Sequence, residues 1–560
     1  MQEDLKEIFD RVTRDEIKLA PEQDWSRCRK VQMPDGSLSG IKDHAKIGIR
    51  ALLANPYFGL YDEMGAMKSA QTIIAAQFLY LADIINRVIV LCPATVRDVW
   101  YDKDLGELSL HLFGGLPARI SEFHTRVRQW DWGDWTGAGT ELRWIITNYE
   151  FVRAKDRLKF IGKYCGPKTL LVLDESSAVR NKTSQQSKSC LQLRRACGRV
   201  VQLNGTPIAD TPMDLMNQAN ILHPTILDCR YILQFRQRYC VMNPRTPFPQ
   251  ILEWKNLDDI QRRMAPYVLR RLKEDCLDLP PKLPPVALSV PLTPATWKIY
   301  KAMKDDMVAW VDSNQASIAG QAIIKSIRLC QVTSGLLGGV EQVFEETGDS
   351  VPGFMQDEDW FLKSPEAAWN SVPLGSIPPP SAIREIGREK IDAALQFYAE
   401  HLEQDPAFKL VIWCRFRAEL FRFEKLFRWK FPSVRLAVMV GGQNKTDRSL
   451  ALRLLHPRTA IMSEPAVLLG TAGTGALGHN FTAAHVVLNM SYDQSLFKSR
   501  QSSDRNHRPG QTKAVSYFDL VATGPAGQKT MDHIILKARK NKDDIATWTA
   551  AAWLDALHEI

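Results

Sequence analysis

No stretch of the 560-residue sequence is apolar for the ~20 residues a membrane helix needs, and even 79–96 is broken by Asp83, Asn86 and Arg87. The opening MQEDLKEIFDRVTRDE is acidic and amphipathic and lacks the apolar centre of an export signal, so neither secretion nor membrane insertion is expected. A cytoplasmic protein follows. Ten cysteines lie scattered without a C-x-x-C pair, which speaks against a zinc cluster and a disulfide framework alike; reduced, mostly buried thiols are expected. Internal repeats and long low-complexity tracts are missing too, so a solenoid or propeller is not indicated. Charge of one sign is also scarce: a net +9 permits a basic groove for nucleic acid without demanding one.

What is present is a repeated alternation. Apolar runs at 87–92, 143–147, 168–173 and 199–203, then at 409–414, 435–440, 466–470, 485–490 and 514–521, are separated by helical segments. This predicts an α/β protein with two parallel-sheet lobes, whose ligands sit at the C-terminal ends of the strands. The expected organisation is an N-terminal extension (1–40), a first lobe (41–277) with a helical protrusion over about 211–276, a linker (278–294), a second lobe (295–545) with a surface insertion over about 338–382, and a helical tail (546–560). Six prolines make 278–294 too poor a strand or helix for an interior and predict an extended connection.

The densest chemistry is QSSDRNHRPGQ (501–511). If 496–508 is helical, Gln501, Arg505 and Arg508 share one face, and Pro509 and Gly510 end the helix. Paired guanidinium groups match a phosphate bidentately and, as arginine fingers, are worth roughly 10³–10⁵ in rate. Upstream, FGLYDEMGAMKSAQTIIAAQFL (58–79) reads as a strand end, a loop with Gly65, and a helix starting near Lys68. First-turn amides and Lys68 suit β- and γ-phosphates there, and the Ser69 hydroxyl suits Mg²⁺. KTLLVLDESS (168–177) reads as a buried strand delivering two acids. Asp174 would hold Mg²⁺ through water and Glu175 would deprotonate the attacking water; the alternative is that Asp174 or Ser176 merely caps the next helix.

Taken in order, these runs resemble the superfamily 2 helicase-like ATPases, and within them the Swi/Snf-type DNA translocases. GLYDEMGAMKS is similar to the LADEMGLGKT phosphate loop, RVIVLCPATVRDVW (87–100) to the segment ending in a tryptophan, and IITNYE (145–150) to the "TYE" block. LVLDESSAVRNKTS resembles the DEAH-type motif and its "K-N" signature, VVQLNGTPIAD (200–210) the "T-G-T-P" motif, LRRLKEDCLDLPPK (269–282) the inter-lobe "R-R-x-K", and GTAGTGALGHNFTAAHVVLN (470–489) the "G-G-x-G-x-N" motif.

The resemblance implies two RecA-like lobes with helical protrusions, an ATP site and nucleic-acid groove at their interface, and a compact phage- or bacterial-type member acting in the bacterial or phage-infected host cytosol. It implies ATP and Mg²⁺ as cofactors, with Lys68, Glu175, Arg505 and Arg508 catalytic and Ser69 and Asp174 on the metal. Glu63, Met64, Gly65, Ala66, Met67, Lys68, Ser69, Gly478, Asn480 and Gln501 would contact the nucleotide. Thr95, Arg97, Arg180, Asn181, Lys182, Thr471, Gly473 and Thr474 would contact DNA, expected to be duplex and bound without sequence preference.

The expected activity is a DNA-dependent ATPase that translocates on double-stranded DNA; the alternatives are a strand-separating DNA or RNA helicase and a catalytically impaired, nucleotide-gated DNA-binding protein. Four departures bear on this choice. Met67 replaces a loop glycine, Asn204 a threonine, Ser176-Ser177 the "A-H" after the acids, and Ala45 an adenine-reading glutamine. Two aromatic clusters are expected to be structural: CRFRAELFRFEKLFRWK (414–430) as a core-packing helix and QWDWGDW (129–135) as a tight turn with core tryptophans.

Overall fold

The computed structural model describes residues 17–32, 38–94, 96–124, 140–205, 207–208, 211–243, 251–313, 319–338, 383–441, 443, 445–471, 479–493, 502, 504–541 and 556. The expectations for 129–135, the 339–382 part of the insertion and almost all of the C-terminal tail fall outside these residues. Two compact units divide the chain, Met1–Asp278 and Leu279–Ile560.

In the first unit, helix α1 (Asp43–Ala54) precedes strand β1 (Tyr57–Leu60), helix α2 (Lys68–Leu81), β2 (Arg87–Cys92), the short helix α3 (Arg97–Tyr101), β3 (Ala118–Phe123), β4 (Leu142–Asn148), β5 (Thr169–Asp174), β6 (Arg199–Leu203) and helix α4 (Met213–Leu222). An antiparallel ribbon of β7 (Cys240–Met242) and β8 (Ile251–Trp254) follows, and β9 (Val268–Leu269) returns to the sheet beside β1. The region 211–276 is therefore not wholly helical. The sheet runs β9-β1-β6-β5-β2-β4-β3 with every pair parallel. TLLVLD of β5 is buried along its whole length, as a strand covered on both faces must be. Because all strands point one way, the segments after β1, β2, β4, β5 and β6 gather along one edge.

The second unit has six parallel strands, β10 (Val286–Pro291), β11 (Lys409–Cys414), β12 (Arg435–Met439), β13 (Ala466–Thr471), β14 (Val486–Asn489) and β15 (Ser516–Thr523), in the order β10-β15-β14-β11-β13-β12. Alternate residues of β11 feed two cores, Leu410, Ile412 and Cys414 on one face and Val411 and Trp413 on the other. Helix α5 (Arg417–Lys430) buries Leu420, Phe423 and Phe427 in the first of these, as its spacing predicts. One expectation is corrected: within the proline-rich 278–294, β10 is an edge strand hydrogen-bonded to β15 rather than a free linker. An edge strand needs donors on one side only, so it tolerates prolines that an interior strand would not.

All ten cysteines are free thiols. Among the described residues no helix is long and apolar enough to cross a membrane.

Candidate nucleotide site

The loop between β1 and α2 is held from below by its own chain and from the side by a distant segment. Gly65 has φ 90°, Ala66 N donates to Glu63 O at 3.2 Å, and the Gln71 amide side chain donates to Ala66 O at 2.7 Å. Lys68 opens α2 and points its ammonium back into the loop, donating to Asp62 O at 2.7 Å and Glu63 O at 3.1 Å. The N-cap, Met67, has φ 60° and ψ 32°, the left-handed conformation that glycine adopts without penalty and a side chain adopts at a cost of about 1–2 kcal/mol. Gly205, at the end of β6, lets Met64 lie against the backbone: a Cβ there would sit 2.6 Å from Met64 Cγ.

Residues 270–273 strap this loop. Arg270 donates to Tyr61 O at 2.9 Å and Gly205 O at 3.2 Å, Arg271 Nε donates to the fully buried Asp62 carboxylate at 2.9 Å, and Lys273 N donates to Glu63 Oε2 at 2.8 Å. Arg271 also donates to His44 O on α1, tying the helix that carries Ala45 to the same point. Ala45 itself is buried and offers no amide.

Asp174 ends β5 with both carboxylate oxygens directed: Oδ2 accepts from Trp100 Nε1 at 2.8 Å and Oδ1 from Glu175 N at 3.0 Å. Burial first, and the neighbouring Glu175 charge second, push its pKa up to about 7, while the Trp100 hydrogen bond and the Lys68 charge oppose the rise. The Lys68 influence means the loop lysine and the strand-end acids share one electrostatic site. Glu175 sits at φ 51° and opens the 3₁₀ turn Ser176–Val179, a backbone strain of the kind found where a side chain must be aimed. The buried Asp174 and the half-buried Glu175 after it are a donor pair that a divalent cation suits, with the half-buried Ser69 in the first turn of α2 as a further oxygen. Among the described residues no cluster of three or more histidine, cysteine or acidic side chains forms a metal site by itself.

Two of the sequence departures touch each other. Asn204 Nδ2 donates to Ser176 Oγ at 3.2 Å and to Gln218 Oε1 at 3.0 Å, and Ser176 Oγ donates to Gln218 Oε1 at 2.9 Å. Gln218 of α4 then donates to Pro207 O and Asp214 O. The segment after the acids is thus linked to the segment after β6 by a buried polar triad.

Of the expected nucleic-acid contacts, Arg97 is paired with Glu122 at 3.1 Å and donates to Ala94 O. Asn181 forms a turn, its Oδ1 accepting from Thr183 N and Oγ1, and Lys182 Nζ lies 5.1 Å from the Tyr231 ring centroid. Arg180 lies at the same turn, and Thr471 ends β13. Thr95, Gly473, Thr474, Gly478 and Gln501 lie outside the described residues.

In the second unit, residues 504–510 are turns and bends rather than the expected helix. Most polar members of the run serve that turn. Asn506 Nδ2 donates to Phe481 O and Ala484 O, Gln511 Nε2 to Ala484 O, His507 contacts Pro280 O at 2.8 Å, and Asp504 pairs with Lys282 at 3.4 Å. Packing outweighs helical spacing here because these bonds satisfy the backbone of 481–484. Arg505 is left 1% exposed with Nε and Nη2 lacking any hydrogen-bond partner among the described residues. Asn480 Oδ1 accepts from Thr482 N, and next to it the buried His479 is held neutral by burial and then by the Arg448 and Arg508 charges.

The sequence model of the SNF2-related domain matches residues 59–333. Curated relatives include the TATA-binding protein-associated factor MOT1 of Saccharomyces cerevisiae, 24% identical over 94% of this chain and 28% of its own length. An uncharacterized ATP-dependent helicase of Mycoplasma genitalium is 20% identical over 98% of this chain and 45% of its own. The chain therefore spans less than half the length of these relatives. Among solved structures, the Sulfolobus solfataricus SWI2/SNF2 ATPase core in complex with dsDNA is similar over 95% of this chain and 96% of that one, at 19% identity and a TM-score of 0.37.

Proposed function

We propose, for a chain that its SNF2-related domain places with the Swi/Snf-type superfamily 2 ATPases, a DNA-stimulated ATPase that translocates on double-stranded DNA without separating the strands. The observation that supports this best is that Lys68, opening α2 after β1, and Asp174 and Glu175, at the end of β5, stand at the C-terminal edge of one parallel sheet, where the Lys68 charge acts on the Asp174 carboxyl. ATP, bound with magnesium, supplies the phosphoryl group that water attacks. In this reading Lys68 and the first-turn amides of α2 bind the β- and γ-phosphates, Ser69 and Asp174 hold the metal, and Glu175 takes the proton of the attacking water. Arg505 and Arg508 of the second unit stabilise the developing phosphoryl charge.

Thr95 and Arg97 after β2, Arg180, Asn181 and Lys182 on a turn at the same strand edge, and Thr471 in the second unit are the proposed backbone contacts, which carry no sequence information. A step along one strand follows if the two units grip alternately. The test is displacement of a triplex-forming strand from duplex DNA in the presence of ATP, run beside unwinding of a tailed duplex. Displacement without unwinding supports the proposal; unwinding moves it to a helicase.

A second reading, a nucleotide-gated DNA-binding protein with background turnover, draws on the left-handed Met67. It requires nucleotide binding with hydrolysis that stays at background under every condition.

A further inference from the structure

The tryptophan and tyrosine that close two of the sequence motifs have no part in the chemistry above, yet both end on Asp174. Trp100 is completely buried in α3 and gives its indole N–H to Asp174 Oδ2 at 2.8 Å. Tyr149, just past β4, gives its hydroxyl to Asp174 O at 2.8 Å and its backbone N–H to Cys92 O at 3.2 Å. The ends of three neighbouring strands, β4, β2 and β5, thereby meet at one residue, the tyrosine on its main-chain carbonyl and the tryptophan on its carboxylate. An indole in this sheet does not need such a partner: Trp144 Nε1 of β4 is buried with none among the described residues. The orientation of Trp100 is therefore directed toward the acid and is not a general consequence of burying a tryptophan.

Helix α3 follows the segment 93–96 directly. Val96 N donates to Pro93 O at 2.9 Å, Val99 N to Val96 O at 3.0 Å, and Arg97 Nε to Ala94 O at 3.3 Å, so Pro93 and Ala94 are each hydrogen-bonded to the start of α3. A displacement at Pro93–Arg97 reaches the carboxylate through a single five-residue helix and one charge-assisted hydrogen bond.

We propose that Trp100 is a positioning residue whose indole N–H couples the Pro93–Arg97 segment to Asp174, so that duplex DNA and magnesium-bound nucleotide raise each other's affinity through it. This rests on the proposed function, because it takes Asp174 as the metal carboxylate and Pro93–Arg97 as a DNA contact. Coupling of this kind is reciprocal and typically amounts to roughly 5- to 150-fold.

The test uses the full chain and a fluorescent, non-hydrolysable ATP analogue, titrated with Mg²⁺ or EDTA and with or without a blunt duplex oligonucleotide. Wild type should bind the analogue more tightly with duplex present, and the duplex more tightly with analogue present, by the same factor. Trp100→Phe keeps the bulk and loses the donor. Its coupling factor should fall toward one and its Mg²⁺ dependence should shrink, while binding in EDTA stays as in wild type. Trp100→His, which restores a ring N–H, should recover part of the coupling, and Trp144→Phe should leave it intact. Should Trp100→Phe fail to fold by circular dichroism, Tyr149→Phe, which removes one oxygen, should also lower the factor. Wild-type coupling in a folded Trp100→Phe, equal loss in Trp144→Phe, or no coupling in wild type overturns the inference while leaving the proposed function standing; turnover that duplex DNA does not raise overturns the proposed function.

Discussion

Arg271 grips the buried carboxylate of Asp62 from 209 residues away in sequence, with Nε 2.9 Å from Oδ1. The pair joins the segment after β9 to the loop between β1 and α2, whose main-chain carbonyls hold Lys68. Truncating one partner leaves an uncompensated buried charge. Arg271→Ala should therefore lose about 3–5 kcal/mol in chemical denaturation, and pairing Asp62→Leu with Arg271→Met should recover most of the loss. A single variant as stable as wild type would show that the pair is not what anchors the loop.

Met67 gives a prediction of opposite sign. Met67→Gly removes a side chain from a left-handed N-cap and should stabilise the fold by up to about 1 kcal/mol, the glycine's greater unfolded-state freedom offsetting part of the relief. Under the active reading it should also tighten nucleotide binding, which isothermal titration would measure. Weaker binding would mean that the methionine contacts the ligand.

The Ser176–Asn204–Gln218 triad is predicted to behave as a unit. Gln218→Leu leaves the Asn204 and Ser176 groups without their shared acceptor and should cost about 1–3 kcal/mol. Asn204→Ala and Gln218→Leu together should cost less than the sum of the two alone, and strict additivity in a double-mutant cycle would refute the coupling.

Glu419 supplies a pH signature away from the site. It is fully buried on α5, and burial pushes its pKa up to about 7, with the Lys390 charge and the Ser491 hydrogen bond opposing. An acid raised in the folded state stabilises fully below its unfolded pKa, and that contribution is lost as pH rises through the folded value. The advantage of Glu419→Gln over wild type should thus grow from pH 4.5 to about 7 and then level off. Denaturation across that range checks it, and an advantage that shrinks with pH would contradict the assignment.

Much of this was legible in the sequence because it depends on local pattern. The apolar runs at 87–92, 168–173 and 409–414 are strands since nothing but a doubly covered sheet accommodates so many consecutive buried residues. Lys68 opens a helix as the loop spacing requires. Less was legible where partners are distant or elements are short. A two-residue strand at Val268–Leu269 has no periodicity to read, and β10 hides among prolines that its edge position excuses. The turn at 504–510 follows from bonds to 481–484 that helical spacing cannot reveal. Asn204 and Ser176 are far apart in sequence, and only the fold brings them onto each other and onto Gln218.

The most direct measurement is ATP hydrolysis by the full chain without nucleic acid and with blunt duplex DNA, for wild type and Lys68→Ala. The account predicts turnover that rises with duplex DNA, falls as salt rises, and drops at least a hundredfold in Lys68→Ala, on the order of what lost phosphate stabilisation costs. Turnover that ignores duplex DNA, or that survives the loss of Lys68, would contradict it.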